Sequence, residues 1–346
     1  MKIKIATKLR PFTHTTGMPM MLPGSTIAVT AFPTSLEFRD LTSATENIIR
    51  LRGTEGGVDD FMVVEDLEKG RVTVSGKSNK GVFRYSIVFV DEAISIVVEK
   101  GDIKFSDLPK GFVIKDSVPK MQIPIERLSL GCHKKQDWDL VTRRLQLDEI
   151  LPHLLRLGSM MHSTDEDIHD GTFSLLDECS SAILSRDKEA ISPALQNLIK
   201  GAFYGIMVPR VSDGHQGLIS EGTLPSESCA PQLLLRTSDI IHSLFIHQEG
   251  MTISLLPMLP IELHCGRFVD VSCGDIGTIS FEWTKKLLRR AIFRSTYDGP
   301  VTFNFQNALK TFRLRTSAKG RGTTVSCGDN LDIKAGIAYY LDNFCK

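Results

Sequence analysis

Short apolar runs that alternate with polar positions dominate the first third of the chain. "STIAVTAFPTSLEF" (25–38), "NIIRLRG" (47–53), "DDFMVVEDLEKGRVTVSG" (59–76), "GVFRYSIVFV" (81–90) and "AISIVVEKGDIKF" (93–105) are rich in Val, Ile and Phe. Period-two alternation is plain in Val72 and Val74, and in Phe83, Tyr85, Ile87 and Phe89, the spacing of strands that bury one face. Turn chemistry separates the runs at Glu68-Lys69-Gly70 and Gly76-Lys77-Ser78-Asn79. No helical stretch intervenes to build β-α-β units. The pattern therefore predicts an antiparallel β-sandwich over residues 1–125.

Beyond Pro119 to Pro124 the period changes. Ile150, Leu151, Leu154, Leu155 and Leu157 form the stripe of an amphipathic helix, with Asp148 as its N-cap and Pro152 in the tolerant first turn. "TFSLLDECSSAIL" (172–184) continues the helical pattern. "SPALQNLIKGAFYGIM" (192–207) opens with Ser192 as cap and Pro193 at the first helical position. "RTSDIIHSLFIHQEG" (236–250) starts at Thr237 or Ser238 and stops at Gly250. Residues 126–250 thus read as a central helical region, with a loop-rich interruption at 208–230.

Strands return over 251–346, in "MTISLLPM", "FVDVSCG", "TISFEW", "RRAIFRS", "PVTFNF", "KTFRLRTS" and "TTVSCGDNLDIKAG". They predict a second β-sandwich, and the fold class is α+β. "VSCGD" occurs at 271–275 and again at 325–329. Gly-Asp after a strand is turn chemistry, so the echo predicts two similar strand ends, neighbours in one sheet. Pro257 and Pro260 are expected to end the helical region and aim the chain into that sheet, with Trp283 buried.

This order of layers, together with residues 251–300, resembles the end of six-hairpin glycosidases, the α/α-barrel type that includes bacterial and plant α-L-fucosidases. Leu255-Leu256-Pro257-Met258-Leu259-Pro260 is similar to their "LLPALP" motif, and Gly266-Arg267 to the corner that follows. Ile279, Phe281 and Trp283 are similar to the next strand, and Arg294-Ser295 with Asp298-Gly299 to the strand and turn after it. The resemblance implies a terminal β-domain and an N-terminal β-domain flanking a helical barrel. A ring of twelve helices needs well over ~200 residues. Residues 126–250 hold about half that number, five or six, and no stretch matches the family's acid-base motif. The reading is a scaffold with most of its barrel missing, or one that another copy of the chain completes.

The chain has 346 residues, with 41 basic and 41 acidic side chains, so it lacks the basic footprint that phosphate backbones require. Lys285-Lys286 with Arg289-Arg290, and Arg313, Arg315, Lys319 and Arg321, read as solvated faces; no nucleic acid is expected. The N-terminus has no signal-peptide core and no run is long enough for a membrane span, so a soluble protein is expected, without a membrane partner. Seven cysteines without tight spacing favour free thiols and a cytoplasmic location.

Candidate chemistry concentrates in "VPRVSDGHQG" (208–217), where Arg210, Asp213, His215 and Gln216 gather donors and acceptors on a glycine-bearing loop between helices. Such a loop can present them to sugar hydroxyls; an ordinary turn capped by Asp213 is the plainer account. Trp138, beside Gln136, Asp137 and Asp139, suits sugar stacking if exposed and anchors the linker if buried. Asp165, Glu166, Asp167 and Asp170, with His162 and His169, read as a loop or helix start. Asp177 and Glu178 point to different sides of a helix. His264, Cys265 and Cys273 lack zinc spacing, and "GRVTVSGKS" misses phosphate-loop spacing by one residue. No metal and no cofactor are expected, and no catalytic residue is assigned.

The function expected is an oligosaccharide-binding or interaction protein on a reduced glycosidase-like scaffold, without catalysis. The alternative is a glycoside hydrolase with carboxylates from the helical region or an oligomer interface, which makes further copies of the chain a partner to test. A scaffold protein recognised through its β-surfaces is the third reading.

Overall fold

A computed structural model describes residues 2–161, 168–213, 217 and 227–346. It shows an α+β protein with large sheets at both ends and helices between. In the first sandwich, a six-stranded sheet built around the meander Asp59–Asp66, Arg71–Ser78, Gly81–Val90 and Ala93–Lys100 faces a five-stranded sheet. The latter contains Pro19–Met21, Ile27–Ala31, Ser35–Asp40 and Glu46–Arg52. Alternation decides the faces. Val72, Val74, Tyr85 and Ile87 point inward, where the Tyr85 ring meets Phe105 edge-on at 5.3 Å. One pairing of this sandwich departs from the antiparallel rule: Phe112–Ile114 runs parallel to Ala93–Lys100.

Five helices occupy the middle of the described residues: α1 (Trp138–Arg144), α2 (Leu147–Gly158), α3 (Phe173–Leu184), α4 (Lys188–Ala202) and α5 (Ala230–Phe245). They form no twelve-membered ring. Three of these helices have bounds that differ from the sequence expectation. Helix α2 begins after Gln146, so Asp148 lies inside the first turn and Pro152 in the second. Helix α4 begins five residues before Pro193, because Asp187 accepts from the Glu189 and Ala190 amides at 3.0 and 3.1 Å and makes the better cap. Helix α5 begins at Ala230 and ends at Phe245; Ile246–Glu249 is a strand, paired through the turn at Gly250 with Thr252–Leu255.

The second sandwich packs a seven-stranded sheet on a four-stranded one through contacts such as Phe293 with Phe303, at 5.4 Å. Arg127–Ser129 belongs to the larger of these sheets, beside Cys265–Ser272, although it precedes the helices in sequence. The two "VSCGD" segments end strands of this same sheet, but four strands separate them; they are not neighbours. The last strand, Ala338–Cys345, fills a central position that the sequence reading leaves empty.

The proline-bearing stretch has a different task from the one expected. Helix α5 has already ended twelve residues before Pro257. The stretch folds back on that end: the Leu256 amide donates to the Phe245 carbonyl at 2.8 Å and the Met258 amide to the Leu244 carbonyl at 3.4 Å. It caps in space a helix that it does not end in sequence, satisfying carbonyls that have no intrahelical donor. It also carries the chain from the smaller sheet to the larger. Trp283 is fully buried there, against Phe245 and Phe281, and its indole N–H donates to the Leu263 carbonyl at 3.2 Å. A single buried cluster runs from Leu9 to Leu341 through both sandwiches and the helices.

Candidate functional site

The loop singled out in the sequence meets the first sandwich. Helix α4 ends at Ala202, and Phe203–Tyr204 pairs with Val208–Pro209 in a tight hairpin. Ile206 bridges to Met20, which docks the hairpin on the edge of the five-stranded sheet. Gly205 takes a φ of +54° where a Cβ would collide with the Pro19 carbonyl, so only glycine fits. Trp138 supports the hairpin from below: it is 2% exposed, its indole N–H donates to the Gly205 carbonyl at 2.5 Å, and its ring lies edge-on to His153. It offers no ring face to a sugar. Its role is to position the hairpin.

The hairpin walls a groove whose floor is the solvent face of the five-stranded sheet. Strand register fixes that floor: Pro19, Thr30, Glu37 and Ile48 form one cross-strand row, and Ala28, Arg39 and Glu46 the next. One part of the groove, about 410 Å³, lies over these rows, with Phe32 and Tyr204 at its sides. The other, about 330 Å³, runs past Pro209, Arg210, Ser212 and Asp213. Arg39 and Tyr204 line both parts and join them. Volumes of this size suit a small ligand.

Arg210 is held in place by the backbone. Its Nη2 donates to the Phe203 carbonyl at 2.9 Å and to the Lys200 carbonyl at 2.6 Å, and its guanidinium lies over the Tyr204 ring at 5.9 Å. Asp213 is 4% exposed, so the acidic group of this part is withdrawn from the surface. The structure therefore brings Arg210 and Asp213 to the groove and places Trp138 behind it. His215 and Gln216 lie outside the described residues, as do His162, Asp165, Glu166 and Asp167. Tyr204, Phe32, Arg39 and Glu37 were missed. Glu37 and Arg39 carried a signal, as alternate polar positions beside buried Leu36 and Phe38, whereas Tyr204 was hidden by reading a helix through "KGAFYGIM".

A second concave feature lies between the N-terminal segment and α2, lined by Cys132, Gln136, Asp148, Glu149 and His153. Its chemistry is closed. Glu149 is 5% exposed and both its oxygens are held by Arg144, at 2.8 and 2.7 Å. Burial, then the charges of Asp148 and Glu149, push the Cys132 thiol up, away from the nucleophilic thiolate. Burial also pushes the His153 imidazole down to about 4, with its Nδ1–H donated to the Glu149 carbonyl at 2.7 Å. The space is about 30 Å³, room for a water molecule rather than a substrate.

His169 sits 2.8 Å from Asp177, whose other oxygen meets Arg236 at 3.4 Å, an ion-pair cluster on the helical surface. Among the described residues, no group of three or more His, Cys, Asp or Glu side chains has the geometry to hold a metal ion. No helix among them is long and apolar enough to cross a membrane. No protein-family model matches the chain, and no curated protein matches it.

Substitution at the hairpin gives a direct check on its construction. Gly205→Ala is expected to destabilise the fold by more than ~1 kcal/mol, since the methyl group meets both a left-handed φ and the Pro19 carbonyl. Chemical denaturation measures it, and an unchanged unfolding midpoint would mean that the hairpin docks differently.

Proposed function

We propose that the groove binds an oligosaccharide and does not cleave it, on a scaffold reduced from a six-hairpin glycosidase. One observation carries the reading: Tyr204 and Phe32 share a single groove with guanidinium, carboxylate, amide and hydroxyl groups of Arg39, Arg210, Glu37, Asn47 and Ser212. Aromatic faces suit the apolar faces of sugar rings, and mixed donors and acceptors suit hydroxyls, which are both. An inorganic anion would favour a lining of one sign; a peptide strand would favour an open sheet edge over a sheet face.

The absence of cleavage rests on where the perturbed acids lie. Hydrolysis of a glycoside needs a carboxyl held protonated near neutral pH, facing a second carboxylate. Burial raises the carboxyls of Glu65, Asp148 and Asp239, and none of them lines the groove. The Gly266–Trp283 corner and the β-α-β order of layers support the scaffold part of the proposal.

A glycan array probed with the purified protein tests the reading, followed by a reducing-sugar assay on each glycan bound. The expected result is binding without release of reducing ends, and a loss of about tenfold or more in Tyr204→Ala, as for a stacking ring worth 1–3 kcal/mol. Release of reducing ends replaces this reading with the hydrolase. Failure to bind any glycan moves it to a scaffold recognised by another protein.

A further inference from the structure

Arg210 has a feature that a site for neutral sugars does not require. Its guanidinium is fixed by the Lys200 and Phe203 carbonyls and by the Tyr204 ring, yet no carboxylate of the described residues lies within ion-pair distance. Its Nε–H is buried without a hydrogen-bond partner, and its Nη1 makes no hydrogen bond to a described residue. Several firmly held guanidiniums elsewhere are neutralised, Arg144 by Glu149 at 2.7 Å, Arg313 by Asp342 at 2.8 Å and Arg127 by Glu68 at 2.9 Å, whereas Arg156, held by the Pro124 and Glu126 carbonyls, is buried outside this groove. Arg210 is held as firmly as these residues, but among the described residues its charge meets carbonyl dipoles and a ring face rather than a carboxylate, and it lines a groove.

The surroundings increase the imbalance. Leu41, Pro209, Val211 and Ala230 contribute apolar surface to this part of the groove. Asp213 is almost fully covered, and Arg39 lines the sheet side of the same part. An ordered guanidinium beside apolar walls forms strong charge-assisted bonds to a carboxylate or sulfate, because little side-chain entropy remains to be lost and water is partly excluded.

From this arrangement we infer that the glycan carries an anionic substituent, seated against Arg210 at the end of the groove bounded by Pro209 and Asp213. The inference rests on the oligosaccharide reading and narrows it to acidic sugars. The neutral part of the chain then lies over Tyr204 and along the sheet face, where Glu37 and Glu46 discourage a second anion and set the direction of binding.

The test is an array printed with uronic-acid- and sialic-acid-bearing glycans, each beside its carboxyl-reduced form, and with sulfated counterparts. Acidic glycans are expected to bind about tenfold more tightly than their reduced forms, as for one charge-assisted hydrogen bond, and the preference should shrink as salt rises. Sulfated glycans that match the carboxylated ones show recognition by charge, and weaker sulfates show recognition by the planar fork; both agree with the inference. Arg210→Gln is expected to weaken binding overall and bring the acidic-to-reduced ratio close to one. Its thermal unfolding is measured alongside, because Arg210 also ties Lys200 to Phe203. Equal binding of acidic and reduced glycans by the unaltered protein overturns the inference and leaves the groove standing. Binding of none overturns the oligosaccharide reading itself.

Discussion

Trp283→Ala is expected to lower the unfolding free energy by about 3 to 5 kcal/mol, the range for truncating a large core aromatic. The size follows from what the indole holds together. It lies 5.5 Å from Phe245 at the end of α5 and 6.1 Å from Phe281 on its own strand, and it is the buried donor to the Leu263 carbonyl. Removing it opens a cavity where helix, sheet and the proline-bearing loop meet, and leaves that carbonyl without its indole donor. Gly266→Ala approaches the same loss from the other side, since a methyl group there would collide with the indole ring and press on the Ser129 carbonyl. Urea titrations of both variants measure the effect. Near-unchanged midpoints would show that this junction is not where the second sandwich is anchored.

The second large effect belongs to Glu65. Its neighbours across the strands are Val72 and then Ile87, so register places it on the inward face of the six-stranded sheet, among apolar residues. Neither carboxyl oxygen has a hydrogen-bond partner, and burial raises its pKa well above the ordinary value of 4.5. The unfolded chain gives up this proton near the ordinary value while the folded chain retains it. The stability it permits is therefore fully present below pH 4.5 and is lost as pH rises toward the folded-state pKa. Glu65→Leu should be more stable than the natural chain at neutral pH, by about 1 to 3 kcal/mol for an unsatisfied buried polar group. The gap should narrow on acidification to about pH 4. Parallel pH profiles for the two proteins, with no change in the gap, contradict the assignment.

Strands were legible because their signal is local. Runs such as Gly81–Val90 carry alternation, β-branched residues and flanking turns all at once. Helix starts were less legible, since Ser192-Pro193 is a sound local start signal that loses only to Asp187, five residues upstream, once tertiary contacts favour a longer helix. Ile246–Glu249 was lost for the same reason: "FIHQEG" continues a helical period, and only its partner Thr252–Leu255 makes it a strand. The final strand buries alternate residues, Tyr339 and Leu341, but its sequence hides this, because half-buried Tyr340 lies on the other side and Asn343 takes a left-handed φ of 51°.

The candidate site was half legible. Arg210 and Asp213 stood out as polar residues crowded on a loop. Nothing in the sequence separations revealed that this loop lies beside Arg39, more than 160 positions earlier. Trp138 shows the converse: packing by a large aromatic was the plainer reading of its burial, but the carbonyl that receives its N–H belongs to a glycine far along the chain.

The central claim is that a sugar chain lies between the 203–213 segment and the outward face of the five-stranded sheet. Amide hydrogen exchange, with and without the tightest-binding glycan, tests it directly. The account predicts slowed exchange confined to residues 17–48 and 203–213. Protection centred on the seven-stranded sheet or on the Cys132 cleft, with those two segments unaffected, would contradict it.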